Sequence, residues 1–338
     1  MKNLYKIIMM LVMLSGSIIA ISSHTWLGMW IGLEINLLAI IPLFTTSNNK
    51  MTAESAIKYF IIQAMASSMF LFAIIMMSMH NSSPSKLINL NVLMMIFNSS
   101  LFTKMGAAPF HFWFPEIMEG LNWMNCLLLM TWQKLAPMAI MSYNIKPSLF
   151  IIIVIITSMI ISGIMGINQT SIRKILAFSS INHIAWMISS MMINVTIWLL
   201  YFIIYTIISI NIVILFNSMK IFFTKQLFNS MNKNSMIKIL FILNFMSLGG
   251  LPPFLGFLPK WMTIQILMNH QFIILAFIMV MLTLITLYFY TRLTFSSLIM
   301  NINEPKWITS TYLNPNIMIM NLFTLTSLIF ITLMFNWF

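Results

Sequence analysis

The stretch Gly106-Ala-Ala-Pro-Phe-His-Phe-Trp-Phe-Pro-Glu116 has a near copy 144 positions later, Gly250-Leu-Pro-Pro-Phe-Leu-Gly-Phe-Leu-Pro-Lys260. Both copies read G-x-x-P-F-x-x-x-x-P-charge, and each lies at the end of an apolar segment. Proline lacks a backbone donor and clashes with the preceding turn, so each copy predicts a break in a membrane helix. Corresponding breaks in the two halves of a membrane protein indicate an ion or substrate pathway. The pattern therefore predicts a transporter-like protein built by duplication.

The composition predicts an all-α polytopic membrane protein. Of 338 residues, 60% are hydrophobic and 7% are charged, whereas soluble domains have about 25% charged residues. Apolar runs of roughly 20 residues, enough to cross a ~30 Å hydrocarbon core, recur along the chain. The single cysteine, Cys126, excludes an intrachain disulfide and a cysteine-ligated iron–sulfur cluster. There is no nucleotide-binding glycine loop, and the net charge of +12 is spread over loops, so no nucleic-acid partner is expected.

Eleven membrane spans can be drawn along the chain, and they divide into two sets of five with one span left over. We predict a single membrane domain with a first repeat at 1–146, a second at 147–295 and a C-terminal lateral helix within 296–338. The fourth helix of each set carries the break. An odd number of connections separates these two helices, so they enter the membrane from opposite faces and the two repeats are inverted. The alternative is chance recurrence, because glycine and proline are common in membrane helices. The spans are 4–22, 25–45, 57–79, 90–108, 123–143, 148–167, 174–193, 196–219, 237–258, 269–291 and 314–337.

The basic residues predict how the chain is oriented. If the spans alternate, the N-terminal side collects twelve lysines and arginines, and the other side has only Lys86 and Lys146. This is the positive-inside pattern, so the N-terminus is expected on the matrix or cytoplasm-like side and the C-terminus on the opposite side. The twelve are Lys2, Lys6, Lys50, Lys58, Arg173, Lys174, Lys220, Lys225, Lys233, Lys238, Arg292 and Lys306.

Five ionisable residues fall within or beside the spans. Glu34 is in the middle of span 2, Lys104 precedes the first break, Lys134 is in span 5 and Lys260 follows the second break. His183 lies in span 7, at roughly the repeat position of Glu34. A charge at the bilayer centre costs about 2.5–3.5 kcal/mol on insertion scales, so such residues indicate pathways or counter-ion pairs. The alternatives are structural roles for Lys104 and His183, and a Lys260 that reaches to the interface.

Buried lysine and glutamate are suited to carrying protons. A lysine whose carboxylate partner can move would bind a proton when paired and release it when unpaired. Glu34 could be such a partner, with water admitted by the broken helices. At the start of the third helix, Glu54 and Lys58 are spaced for an ordinary helical ion pair. Glu116, in a loop, is expected to be solvated or to contact another subunit.

Five motifs appear together in order: Trp26-Leu-Gly-x-Trp-x-Gly-Leu-Glu34, Glu54-x-x-x-Lys58, the Lys104–Glu116 stretch, Arg173-Lys-x-Leu-Ala-Phe-Ser-Ser-Ile-x-His183, and the stretch ending at Lys260. With them the chain closely resembles the subunit 2 family of mitochondrial NADH:ubiquinone oxidoreductase (complex I), in an insect-like form. The resemblance covers nearly the whole chain. That family is similar to Mrp-type cation/proton antiporters, and its mitochondrial members lack three N-terminal helices, which agrees with eleven spans.

The resemblance implies a proton-pumping membrane-arm subunit in the mitochondrial inner membrane. By motif, Glu34 partners Lys104, while Lys134, His183 and Lys260 continue a central polar axis. NADH, FMN, iron–sulfur clusters and ubiquinone would be bound by other subunits, so no cofactor is expected in this chain. The implied partners are neighbouring antiporter-like and small membrane-arm subunits, and lipids such as cardiolipin. Lys104 precedes its glycine whereas Lys260 follows its proline, so these two lysines do not superpose on the internal repeat.

Two other functions stay open at the level of sequence. A free-standing cation/proton antiporter could use the same charges, although the absence of aspartate leaves few cation-binding oxygens. A purely structural subunit predicts that neutralising the buried charges, for example in Lys134→Met, leaves pumping and turnover unchanged.

Overall fold

In the computed structural model, residues 2–45, 49–82, 90–231, 235–299 and Asn321 are described. Within these ranges the regular structure is helical, apart from an isolated antiparallel bridge between Ser171 and Phe223. The all-α prediction is therefore confirmed. The helices are α1 Lys2–Ser22, α2 Trp26–Phe44, α3 Lys50–Ser82, α4 Leu90–Met105, α5 Trp113–Gly120, α6 Trp123–Met130, α7 Trp132–Ser142, α8 Leu149–Ile167, α9 Ile172–Met191, α10 Val195–Met219, α11 Thr224–Met231, α12 Ser235–Gly249, α13 Phe257–Asn269 and α14 Ile273–Ile299.

Six of the described helices are long and apolar enough to cross a membrane by length and composition: α1, α2, α3, α8, α10 and α14. Several other predicted spans are shorter, because breaks divide them. Spans 4 and 9 correspond to α4 and α12, which have 16 and 15 residues. Apart from Asn321, the predicted span 314–337 lies outside the described residues, so the count of eleven stays a prediction.

The chain forms two compact units, residues 1–154 and 155–338. In the first unit, α1 and α2 approach closely because glycine stands at their contact. A Cβ on Gly32 would lie 2.5 Å from the backbone nitrogen of Ala20, so no larger residue fits without moving the helices apart. This contact fixes the helix that carries Glu34. The assignment of these units as inverted repeats stays a prediction.

Both predicted helix breaks are present, and their local geometry matches. α4 ends at Met105 and α12 at Gly249, and the next residues, Gly106 and Gly250, each have φ of +76°. This left-handed conformation costs an L-residue roughly 1–2 kcal/mol but is open to glycine. Each break then closes with an amide-to-carbonyl bond from the motif phenylalanine: Phe110 to Ala107 at 2.9 Å and Phe254 to Leu251 at 3.1 Å.

The prediction of an uninterrupted span over 123–143 is wrong. α6 ends at Met130 and α7 begins at Trp132, with Thr131 between them at φ −110° and ψ −75°. The Thr131 hydroxyl donates to the Leu127 carbonyl at 2.7 Å, a contact that bends helices. Pro137 lacks the amide that would bond the Gln133 carbonyl, which weakens the next turn. Lys134 therefore lies one turn after a helix break rather than within a continuous helix.

Two further differences concern helix bounds. α3 begins at Lys50, seven residues before the predicted span, and so includes Glu54 and Lys58. Residues 257–269, which lie partly in predicted span 9 and partly in the loop after it, form the separate helix α13, whose first turn carries Lys260. Short helices of this kind have no long apolar run, so hydropathy alone does not indicate them.

Candidate functional site

Three lysines predicted to lie within the membrane region are buried. Their exposed fractions are 6% for Lys104, 1% for Lys134 and 7% for Lys260. A buried charge is costly unless hydrogen bonds, dipoles or opposite charges stabilise it. The surroundings of each lysine show which of these it uses.

Lys104 lies in the last turn of α4, the helix that the first break ends. A cation near a helix C-terminus is favoured by about 0.3–1 kcal/mol, because the helix dipole has its negative end there. Its ammonium lies 5.9 Å from the centre of the Phe70 ring on α3, within the range of a cation–π contact. Gln63 of α3 donates to the backbone carbonyl of Lys104 at 3.3 Å. The helix end that carries Lys104 is thus held by α3.

Glu34 is half-buried on α2. Within the described part of the chain, Glu34 and Lys104 make no direct ion pair, but they are near enough to interact electrostatically. The structure therefore brings the predicted pair into one neighbourhood without joining the two groups directly. A bridging group or a side-chain movement would be needed for proton exchange between them.

Lys134 projects from the first turn of α7 towards the first broken segment. Its ammonium lies 5.1 Å from the centre of the Phe114 ring, and Phe114 belongs to the Gly106–Glu116 motif. Trp113, next to it, donates from its indole to the Thr103 carbonyl at 3.0 Å and so links the two ends of the break. The break in α4 and the break before α7 therefore meet at Lys134.

Lys260 caps the other broken helix. Its ammonium donates to the carbonyl of Gly249, the last residue of α12, at 2.8 Å. The positive end of its own helix, α13, disfavours a cation at this point, whereas the negative end of α12 favours it. Lys260 is therefore buried and hydrogen-bonded, and its role in a proton pathway stays a prediction.

His183 lies in the middle of α9 and contacts α10. Its Nδ1 shares a 2.9 Å hydrogen bond with the hydroxyl of Tyr201, and its ring lies against that of Tyr205 at a tilt of 41°, with 5.0 Å between ring centres. Both tyrosines are buried. Sequence analysis missed them, because a neutral tyrosine in an apolar helix carries no charge signal. Their spacing of four residues, opposite a helix with a buried histidine, is the signal that could have indicated them.

The charges predicted to lie outside the membrane pathway behave differently. Lys58 pairs with Glu54 at 3.2 Å and with Glu116 at 3.3 Å, and all three side chains are largely exposed. The helical Glu54–Lys58 pair is thereby confirmed. Exposed pairs contribute about 0–1 kcal/mol, so this cluster ties α5 to α3 only weakly. His111 is buried in the first break and donates from Nδ1 to the Pro109 carbonyl at 3.3 Å.

The chain matches a family of known membrane proteins. A family model described as NADH:quinone oxidoreductase/Mrp antiporter, TM, matches residues 23–286. The chain is similar to NADH-ubiquinone oxidoreductase chain 2 of Anopheles gambiae, with 48% identity over 343 residues and 99% of each chain covered. It is 49% identical over 340 residues to the chain of that name in Aedes aegypti, again with 99% of each covered.

Among solved structures, the fold is similar to a chain in respiratory complex I from Thermus thermophilus with bound aureothin. The TM-score is 0.82 at 20% identity, with 96% of this chain and 76% of that chain covered. At this identity the likeness shows a shared fold. The broken helices and the buried lysines thus occur in a chain with an antiporter-like membrane fold.

Proposed function

The chain belongs to the NADH:quinone oxidoreductase/Mrp antiporter transmembrane family, and from this premise we propose that it is an antiporter-like membrane-arm subunit of respiratory complex I that carries protons. Its relatives form part of an NADH-ubiquinone oxidoreductase by name, which favours the complex over a free-standing antiporter. The observation that carries the proposal is the burial of Lys104, Lys134 and Lys260, each beside a helix break.

The proposed mechanism is proton transfer alone. Lys104, with Glu34 in electrostatic reach, and Lys134 bind and release protons in the first unit. His183 and Lys260 do so in the second. Lys104 lies at the C-terminal end of α4 and Lys260 bonds the C-terminal end of α12, and the negative end of each helix dipole stabilises the charged amine. Movement of a partner group changes that stabilisation and drives release.

The redox chemistry belongs to other chains in this proposal. NADH, FMN, iron–sulfur clusters and ubiquinone bind partner subunits. Neighbouring antiporter-like and small membrane-arm subunits, together with lipids such as cardiolipin, cover the apolar faces. The α1 face that includes Leu4, Ile7 and Leu11 is a candidate for such contact, because these side chains are largely exposed. The location is the mitochondrial inner membrane.

Assembly can be tested directly. Membranes are extracted in mild detergent and separated under native conditions, and the band with NADH:quinone reductase activity is analysed by mass spectrometry. We expect this chain there in a fixed ratio to the redox subunits. Migration of the chain alone, with cation/proton exchange in liposomes, would instead support the antiporter.

The predicted orientation can be tested by labelling introduced cysteines, because the single native cysteine, Cys126, is buried. Lys146 and Lys225 are exposed, and the charge pattern predicts them on opposite sides of the membrane, with Lys146 facing the intermembrane space. In mitochondria stripped of the outer membrane, an impermeant maleimide should label this chain in the Lys146→Cys variant. It should label the Lys225→Cys variant only after the inner membrane is opened. The reverse order of labelling would invert the predicted orientation.

The role of His183 can be tested through Tyr201. A Tyr201→Phe change keeps the ring but removes the hydrogen bond to Nδ1. Since such a bond contributes about 0.5–1.5 kcal/mol, we expect turnover of the assembled complex to fall by about 2- to 12-fold. Tyr288→Phe, at a largely exposed position on α14, is the matched control and should have wild-type turnover. Equal turnover in both variants would remove Tyr201 from the mechanism.

A further inference from the structure

A chain of neutral hydrogen-bonded side chains crosses the first unit beside Lys104. The hydroxyl of Tyr59 on α3 donates to Oε1 of Gln133 on α7 at 3.1 Å. Nε2 of Gln133 donates to Oδ1 of Asn36 on α2 at 2.9 Å. All three side chains are buried. Gln133 is therefore held at both ends of its amide, and its orientation is fixed by two other helices.

The same three side chains line a small cavity with Lys104. Gln63, Leu33, Leu37 and Pro137 complete its wall, and the free space inside is about that of one water molecule. A cavity of this size holds water when two to four polar partners are present and stays dry when it is apolar. Five of the eight residues that line this cavity have polar side chains: Asn36, Tyr59, Gln63, Lys104 and Gln133.

The position of the cavity suits a proton step. Lys104 and Gln133 both line it, and Gln133 directly precedes Lys134 in the chain. Glu34 interacts with Lys104 without a direct ion pair. A group other than this carboxylate must therefore be the immediate neighbour that exchanges a proton with the ammonium.

We propose that the cavity is a binding site for one water molecule and that Gln133 is a positioning residue that holds this water against Lys104. The inference rests on the proposed proton-carrying function. In the step, one N–H bond of Lys104 breaks as one O–H bond of the water forms, and the reverse transfer recharges the amine. Tyr59 and Asn36 act through Gln133, because they fix the amide that orients the water.

The test compares three variants in the assembled complex. Gln133→Leu removes both ends of the amide and should lower NADH-driven turnover about tenfold, less than the roughly 10²–10⁴-fold effect of losing a proton-transfer group, because Gln133 only positions the water. Tyr59→Phe leaves the amide but frees one end, and should cause a smaller loss. Asn98→Leu is the control, since Asn98 is equally buried on α4 but does not line the cavity.

Two measurements distinguish a Gln133 that positions the water from a Gln133 that only fills space. In Gln133→Leu the slowing of turnover in D2O should exceed that of wild type, because proton transfer becomes rate-limiting. A high-resolution map of the wild-type complex should show one ordered water between Lys104 and Gln133. This map tests for the water site even if the Gln133→Leu complex fails to assemble.

Wild-type turnover in Gln133→Leu, or a cavity without ordered water in that map, would overturn the inference. If Lys134→Met still abolishes activity in that case, the proposed function stands and only the water site is wrong. If Lys134→Met is also without effect, the proposed function itself fails and the inference fails with it.

Discussion

Replacing Lys134 by methionine is expected to lower the NADH:ubiquinone reductase activity of the assembled complex by about two orders of magnitude, the range for loss of a proton-transfer group. Methionine fills a similar volume and is apolar, so the buried site keeps its packing and loses a costly charge. The amount of assembled complex should therefore stay near wild type. Activity is measured in membranes, and the complex is quantified on a native gel.

Two further variants separate proton exchange from charge. Lys134→Arg keeps the positive charge, but a guanidinium does not release its proton in proteins, so it should fail as Lys134→Met does. Lys146→Met makes the same lysine-to-methionine change at an exposed position and should be neutral. Wild-type activity in Lys134→Met would support the purely structural subunit and contradict the relay.

Gly250→Ala is expected to disrupt the second broken helix. The left-handed φ of +76° costs alanine roughly 1–2 kcal/mol. Its Cβ would also lie 2.8 Å from Cδ and 2.9 Å from Nζ of Lys260, which displaces that side chain from the Gly249 carbonyl. We expect a lower thermal stability of the complex, together with loss of turnover.

The neighbouring glycine is a matched control. At Gly249 the backbone has an ordinary helical conformation, and an added Cβ would meet nothing closer than 3.7 Å. Gly249→Ala should therefore assemble and turn over like wild type. If the two alanine variants behave alike, neither the left-handed turn nor the Lys260 cap is needed for stability and turnover.

The two broken helices could be predicted from sequence because their cause is covalent. Proline removes an amide wherever it stands, and the glycine that begins each motif takes the left-handed turn that ends the helix. The burial of Lys104 and Lys134 was likewise predictable, because charges are rare in long apolar runs. Lys260 was predicted to follow the second break, but its cap on α12 depends on the folded path of α13.

The break at Thr131 could not be predicted in the same way. Threonine is common in membrane helices, and its hydroxyl bends the helix only through the contact with the Leu127 carbonyl that the folded chain sets. In the sequence, only the proximity of Thr131 to Pro137 indicates a weak point in this helix. Lys134 therefore lies just after a helix break, whereas the sequence predicts it in the middle of a helix.

The neutral partners of the site were missed for a related reason. Tyr59, Gln133 and Asn36 come from three helices, and nothing in the spacing of one helix shows what another presents to it. Tyr201 meets His183 in the same way. Sequence indicates where charge is buried, whereas tertiary packing decides which neutral groups solvate it.

The ratio of protons moved to NADH oxidised, measured with the complex reconstituted in liposomes, shows whether Lys134 lies on the proton path. Enough Lys134→Met complex is added to match the NADH oxidation of wild type, so that slow turnover is separated from a missing proton path. The account predicts a lower ratio in the variant than in wild type, with Lys146→Met unchanged. An equal ratio in Lys134→Met and wild type would contradict it, because protons would then cross without this lysine.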